Sequence, residues 1–481
     1  MEHLDVIIIG AGLSGIGSGC HLTMTSPDQN FAILEARESF GGTWDLFKYP
    51  GVRSDSDMYT FGYSFHPWTE GRDIASGESI LNYLNETAQA YGVDKKIRYS
   101  HKVGGLNWDS AQSKWIIDIL ATDARAAFQM SCNFVLSCMG YYNYEHGYLP
   151  KFEGYDSYKG TLVHPQFWPE DLDYTDKKIL VIGSGATAIT LVPSMADKAA
   201  HVTMLQRSPT YVFTRPGEDK IATFFKRILP KKLAYKLARF KNVLITIYMF
   251  KHARKNPDKV RKFLRDMAVD ELGDSVDVDV HFKPSYDPWD QRLCLIPDAD
   301  LFSVLKDGRA SIVTDHIETF TETGVRLKSG ESIDADIIIP ATGLDVQFFG
   351  GIDTCIDGEK VNSGELINYK GMMFANVPNL AAVFGYTNAS WTLKADLTSN
   401  YVARLLNHMR KHDYKTAVPK LGKHDMKTEL IVGLQSGYLL RKSDEIPKQG
   451  DQLPWRNPEN YLKDYKRIRW GKIDDGVMSF K

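Results

Sequence analysis

The runs Val6–Ile9 and Phe31–Leu34 are apolar at every position instead of alternating, the pattern of strands covered on both faces of a sheet. The first passes directly into a glycine turn, and the same strand-to-turn sequence returns at Ile179–Ala188. Ser131–Gly140 and Ala335–Gly343 read as short apolar strands ending in a small-residue glycine turn, a matching return element for each unit. The expected fold class is therefore α/β, with two Rossmann-like units and the second inserted into the first. On this reading residues 1–145 and 341–481 form one discontinuous domain. Residues 146–340 form the other, with a helical insertion at about 216–280.

A chain of 481 residues with 43% hydrophobic content can bury more than one core. Fifty-eight basic against sixty acidic residues leave no excess of positive charge for nucleic acid, so a small molecule is the expected partner. The five cysteines (Cys20, Cys132, Cys138, Cys294, Cys355) are scattered and form no C-x-x-C pair, which speaks against a disulfide framework, a metal cluster or a redox dithiol and fits a reducing cytosol. No basic, cleavable leader opens the chain, and the run Val243–Phe250 is far too short to cross a bilayer. A cytoplasmic protein is expected. Lys220–Arg265 carries about fifteen Lys or Arg and almost no acid. Two readings stand for it: a helical lid with a solvated basic face, which is favoured, and a peripheral contact with an anionic membrane surface. The stretch after Gly422 has the polar, aromatic-punctuated composition of a tail wrapped over a domain.

The glycine turns carry specific chemistry. Gly10, Gly12 and Gly15, with Ser14 among them, form G-x-G-x-x-G between a strand and a helix. The first glycine permits the tight turn, the second lets backbone N–H groups approach a pyrophosphate, and the third lets helix and strand pack closely. Glu35 ends the next strand, where a carboxylate accepts hydrogen bonds from an unphosphorylated ribose, as in FAD or NAD. The second loop, Gly183-Ser184-Gly185-Ala186-Thr187-Ala188, repeats the pattern with Ala in the third small position. Its following strand, His201–Leu205, is succeeded by Gln206-Arg207-Ser208, and a guanidinium beside a hydroxyl suits a 2′-phosphate. One site without and one with a phosphate-reading Arg imply FAD reduced by NADPH. Without a suitably spaced dithiol, O2 is the expected electron acceptor.

Two further stretches carry a resemblance. GGTWDLFKYPGVRSD (residues 41–55) resembles the long signature of the Baeyer–Villiger monooxygenases, and YKGTLVHPQFWP (158–169) resembles their fingerprint, with Tyr158 in place of the usual Phe. The phrases YDPWDQRLCLIP and GYTNASWTLKADL are most similar to the subgroup of ethionamide-activating and long-chain alkane-utilisation monooxygenases. The resemblance implies oxygen insertion through a C4a-peroxyflavin. A hydrophobic ketone would give an ester, and a sulfide or thioamide would be oxygenated at sulfur. By the same resemblance Arg292 is the mobile catalytic Arg, and Asp55 is the acid that pairs with it beside the flavin. Gly42, Thr43, Trp44, Asp45 and the backbone at Val103 would meet FAD, while Arg53 and Ser54 would meet the nicotinamide nucleotide. Gly160, His164 and Trp168 would form a hinge and not a general acid or base. Gln291 stands where many relatives have a Lys for the 2′-phosphate, which implies weaker discrimination against NADH. Asp345 and Trp391 are expected on the cofactor side. Three alternatives stay open: a heteroatom-oxygenating flavin monooxygenase without ester formation, disfavoured by Trp168, a long-chain alkane-pathway oxygenase, and a non-catalytic NADP-sensing flavoprotein.

Overall fold

The computed structural model describes residues 1–70, 72–122, 126–291, 293–422, 426–433 and 437–481. Two sheets organise it. The first is nine-stranded, and at its centre the parallel trio Phe128–Ser137, Glu2–Ile9 and Phe31–Leu34 leads to the short edge strand Ile97–Arg98. On the other side an antiparallel meander through Lys114–Ile119 and Val103–Asp109 extends it, and Asp353–Ile356 and Glu359–Lys360 complete that edge. Leu380–Ala382 also pairs with Phe128–Ser137, so strands from late in the chain return to the sheet that the amino terminus begins.

The second sheet is parallel throughout, in the order Ala310–Thr314, His201–Gln206, Lys178–Ile182, Ile337–Pro340 and Thr161–Leu162. Its strands lie wholly within the span between the two halves of the first. The apolar runs are buried on both faces because alternate side chains serve different cores. Val6 and Ile8 pack with Ile16 and Cys20 of the helix Leu13–Thr25, whereas Ile7 and Ile9 pack with Trp108 and Trp115 on the other side. Val181 likewise faces Ile189 and Val192 of the helix Ala186–Met195, and Leu180 faces Val325 and Leu327.

Three helices, Lys220–Ile228, Lys231–Lys255 and Pro257–Leu272, make the helical insertion. The second reaches across to the first sheet's unit. Arg239, buried within it, donates to the carbonyls of Tyr59 (2.8 Å) and Gly62 (2.6 Å) and approaches the buried carboxylate of Asp396 (3.5 Å). Tyr235 donates to the Tyr63 carbonyl, and Asn242 donates to Asp57. The C-terminal stretch packs back as well: Met478–Phe480 pairs with Ala417–Pro419, and the fully buried Asp464 accepts from Lys394 at 2.7 Å. Among the described residues no helix is long and apolar enough to cross a membrane.

Candidate active site

The first glycine loop is built to leave its helix end open. Gly10 has φ +98°, and a Cβ on Gly15 would lie 1.9 Å from the Gly10 carbonyl oxygen, so only glycine lets strand and helix meet there. The helix Leu13–Thr25 has Gly12 as N-cap, no side-chain cap and no acid in its first turn, which leaves its N–H groups to an outside anion. Glu35 braces the loop. Its carboxylate accepts from Ala11 N–H at 2.8 Å and from Arg37 N–H at 3.0 Å, and burial pushes its pKa up against those bonds. Trp391, the first residue of the helix Trp391–Lys411, donates its indole N–H to Ser14 Oγ.

The signature stretch closes over this loop. A Cβ on Gly42 would approach the Gly12 Cα to 3.0 Å and the Tyr144 hydroxyl to 3.5 Å, which brings the two glycines backbone to backbone. Thr43 opens a one-turn helix, and the Trp44 ring meets Phe61 edge to face at 5.5 Å. Asp45 gathers Ser39 (2.5 Å), Arg37 (2.8 Å) and Lys48 (3.3 Å) around one carboxylate. Val103 opens its strand and is buried among the first sheet's residues.

Beyond Asp45 the same stretch changes partners. Phe47 and Tyr49 are buried with Val163, Ile189 and Val192 in the core of the second sheet. Gly51 presses so closely on the helix Ala186–Met195 that a Cβ would overlap Ser194 Oγ at 1.8 Å. Arg53 pairs through its backbone with Ser76 and through its guanidinium with Asp300 of the second unit, and its Nη2 is buried without a partner. Ser54 is buried, with its hydroxyl donating to the Ser56 carbonyl (2.8 Å), and Asp55 lies exposed in the bend that follows. A cavity of about 360 Å³ opens here between the units, with Arg53, Trp68, Arg72, Ile74, Gly217 and Pro297 on its walls. Arg292 lies outside the described residues. Its neighbour Gln291 is half-buried, and Trp289 packs against Phe250.

The second glycine loop repeats the design. Gly183 has φ +144° and a Cβ would lie 2.3 Å from the Ala341 carbonyl oxygen, whereas a Cβ on Gly185 would meet nothing within 4 Å. The helix Ala186–Met195 starts uncapped and without acid, and Ala188 in its first turn is fully buried. Ser184 Oγ lies 2.7 Å from Thr210 Oγ1 and donates weakly to the Ser208 carbonyl at 3.4 Å, which ties the loop to the segment bearing Arg207. Arg207 and Ser208 are both exposed at the strand end. The open space at Gly185, the uncapped helix and the exposed guanidinium fit a dinucleotide with a 2′-phosphate; the cradle at Gly10–Gly15 with Glu35 fits one whose ribose carries no 2′-phosphate.

Two crossing linkers join the units. Asn143 donates to Asp345 at 2.8 Å, Thr342 donates to the Tyr148 carbonyl at 3.1 Å, and Gln166 donates to the Asn143 carbonyl at 2.7 Å. His164 lies beside Gly147, where a Cβ would strike its ring at 2.0 Å, and burial holds its pKa below the ordinary imidazole value. It lines a gap scarcely larger than one water together with Phe47, Thr187 and Gly343. Trp168 packs against the second core, and Gly160 sits over Tyr158. The hydroxyl that distinguishes Tyr158 from Phe donates to the Ala335 carbonyl at 2.8 Å, and burial pushes its pKa up to about 12. Asp345 thus braces a linker. Cys138 is buried with its pKa pushed up to about 12, an inert thiol.

Sequence reasoning missed Arg37, Tyr144, Thr210 and Asp300. None belongs to a motif, and each reaches the site only through tertiary contact; the Arg207–Ser208 hydroxyl pattern extends to Thr210 and was the one available signal.

Comparison with known proteins agrees with this geometry. Residues 4–418 match the flavin-binding monooxygenase-like family. The FAD-containing monooxygenase EthA of Mycobacterium tuberculosis is 50% identical over 480 residues, covering 100% of this chain and 98% of that protein. The probable FAD-binding monooxygenase AlmA of Acinetobacter baylyi is 48% identical, covering 100% and 96%. Among solved structures, OTEMO in complex with FAD and NADP superposes with a TM-score of 0.75 at 19% identity over 99% of both chains. Oxidized steroid monooxygenase bound to NADP does so with a TM-score of 0.73 at 22% identity over 87% and 88%. The chain therefore belongs to the flavin-binding monooxygenase-like family, with the fold of these FAD- and NADP-bound monooxygenases.

Proposed function

We propose that this flavin monooxygenase uses FAD and NADPH to insert one oxygen atom from O2 into a hydrophobic ketone, giving an ester, and to oxygenate sulfides or thioamides at sulfur. The observation that carries this reading is the course of residues 41–55, which close over the first glycine loop at Gly42 and press on the second loop's helix at Gly51. One short segment thereby touches the first cradle and the helix that the second cradle opens, and its Phe47 shares a gap with Thr187 of that second loop.

The division of labour follows the units 1–145 with 341–481 for FAD and 146–340 for NADPH. FAD, when bound, supplies the two-electron chemistry and the activation of oxygen. The N–H groups at Leu13–Gly15 receive its pyrophosphate, and Glu35 accepts from its ribose. Gly42, Thr43, Trp44, Asp45 and Val103 surround the rest. Gly183–Ala188 receive the NADPH pyrophosphate, and Arg207 with Ser208 receives the 2′-phosphate. Gln291 adds no cation there, so Arg207 carries the discrimination against NADH. Arg53 and Ser54 meet the nicotinamide end, where Asp300 shares the Arg53 charge. Arg292 stabilises negative charge developing on the oxygen under transfer, and Asp55 is the acid that pairs with that guanidinium. The cavity beside Arg53 falls within the usual size of small-molecule sites and admits the organic substrate.

The reading is tested by offering linear ketones and aryl sulfides side by side to the purified, flavin-loaded protein. NADPH oxidation stimulated by ketone, with ester formed in step, supports it. Sulfoxide with no ester from any ketone would reassign the protein to heteroatom oxygenation alone.

A further inference from the structure

The helix Lys231–Lys255 is apolar on two opposite faces. Ala234, Tyr235, Ala238, Arg239, Asn242 and Val243 are buried against the first unit. Leu233, Leu237, Phe240, Leu244 and Tyr248 recur at spacings of three and four, forming a second stripe along the same side of the helix, turned away from the buried set. That second stripe is open to solvent, with Phe240 at 55% and Tyr248 at 65% exposure. The preceding helix Lys220–Ile228, joined to it by only Leu229 and Pro230, adds Ile221, Phe224 and Ile228, each more than half exposed. Soluble surfaces rarely expose this many large apolar side chains together on one short element.

The charge around the stripe selects its occupant. Between residues 220 and 256 there are Lys and Arg but no acid. Among the described residues Lys220, Arg227, Lys231, Lys232, Lys236 and Lys251 take part in no ion pair. The chain as a whole has 58 basic and 60 acidic residues, so the remainder is net acidic and the basic charge is concentrated on this hairpin. A second copy docking through the same face would set these cations against their own image, which opposes a symmetric dimer. An anionic bilayer meets both features: its headgroups pair with the lysines while the apolar stripe enters the acyl boundary. Lysine stems lie along apolar surface with their ammonium groups in the polar layer. The stripe lies parallel to a helix about 37 Å long, suited to lying in the interface and not to spanning it.

We propose that the helical hairpin 220–255 is a docking surface for anionic lipid bilayers, holding the enzyme at a membrane where hydrophobic substrates concentrate. The exposed stripe faces away from the first unit, so vesicle binding is read independently of the assigned chemistry, and only the gain in substrate access rests on the proposed function. The test is sedimentation of the flavin-loaded protein with vesicles of phosphatidylcholine alone and of equal parts phosphatidylcholine and phosphatidylglycerol. The protein is expected to pellet with the anionic vesicles, to remain in solution with the neutral ones, and to be released by salt. The triple variant L237S/F240S/L244S is expected to lose about a hundredfold in partitioning, roughly fivefold per side chain, with NADPH oxidation in vesicle-free buffer unchanged. K231E/K232E/K236E serves as a second variant that leaves the apolar stripe intact, and it is expected to lose binding to anionic vesicles as well. Failure of the parent to pellet with anionic vesicles overturns the proposal, as does pelleting undiminished in both variants. A parent dimer by light scattering that the serine variant converts to monomer also overturns it, because the stripe would then be covered by a second copy.

Discussion

The indole N–H of Trp391 donates to Ser14 Oγ at 2.9 Å, joining the start of the helix Trp391–Lys411 to the first glycine loop. The two residues are 377 positions apart. The bond fixes the end of that helix beside the open end of the first glycine loop, where the proposed function puts FAD. Trp391→Phe keeps the ring and removes the donor, and a neutral hydrogen bond of this kind contributes about 1 kcal/mol. The expected result is about a fivefold rise in the dissociation constant for FAD, followed by flavin fluorescence on titration. Ser14→Ala should give a comparable loss, and the double variant should lose no more than either alone.

Arg207 is an exposed cation just past the end of the strand His201–Gln206, with Ser208 beside it. Charge-assisted hydrogen bonds contribute about 1.5–3 kcal/mol, so Arg207→Ala is expected to raise KM for NADPH by roughly 10- to 100-fold while leaving KM for NADH nearly unchanged. Steady-state kinetics with both nucleotides measure this directly. A parallel rise for both would mean that the guanidinium does not read the 2′-phosphate.

Arg239 is buried and reaches three main-chain carbonyls and Asp396, which also accepts from Ser64 N–H at 2.8 Å and from His21 at 3.3 Å. Burial works against the Asp396 charge, but the His21 bond and the neighbouring charges outweigh it and hold the carboxyl below its ordinary range. Removing one member of a buried pair strands the other. Arg239→Ala is therefore expected to cost about 3–5 kcal/mol and to lower the thermal midpoint sharply, whereas the exposed Lys236→Ala should be nearly silent. Scanning calorimetry of the two variants decides this.

His164 sits where the linkers cross, and its pKa is lowered from 6.5 by burial, so the fold favours neutral imidazole. Above 6.5 the residue is neutral whether the chain is folded or unfolded, and its contribution to stability is fully present. As pH falls from there through the lower folded value, the unfolded chain binds a proton first and stability is lost. His164→Gln is expected to flatten the acid limb of a melting-temperature profile between about pH 5 and 7 relative to the parent. The difference between the two profiles isolates this residue from the other histidines.

The parallel strands and both glycine loops were legible in the sequence because burial on two faces leaves an unbroken apolar run, and because a helix N-terminus that receives an anion needs glycine at fixed positions. The antiparallel extension through Trp108 and Trp115 was not, since strands with one alternating face look like many surface segments. In the helical insertion, Arg239 is written like its fourteen basic neighbours, and only packing reveals that it is buried. The two apolar faces of Lys231–Lys255 cancel in any single helical projection, so the exposed stripe emerges only once the docked face is known. At the site, Tyr144 and Asp300 lie outside every motif and are brought in by the fold.

The central claim is that an organic molecule captures oxygen activated at the flavin cradle. Turnover of a linear hydrophobic ketone under labelled dioxygen, with products read by mass spectrometry, tests it most directly. The account predicts one labelled oxygen atom in the ester, and for Arg292→Ala continued NADPH oxidation that ends in labelled hydrogen peroxide. Hydrogen peroxide alone from the parent across ketones, sulfides and thioamides, with Arg292→Ala indistinguishable from it, would contradict the account.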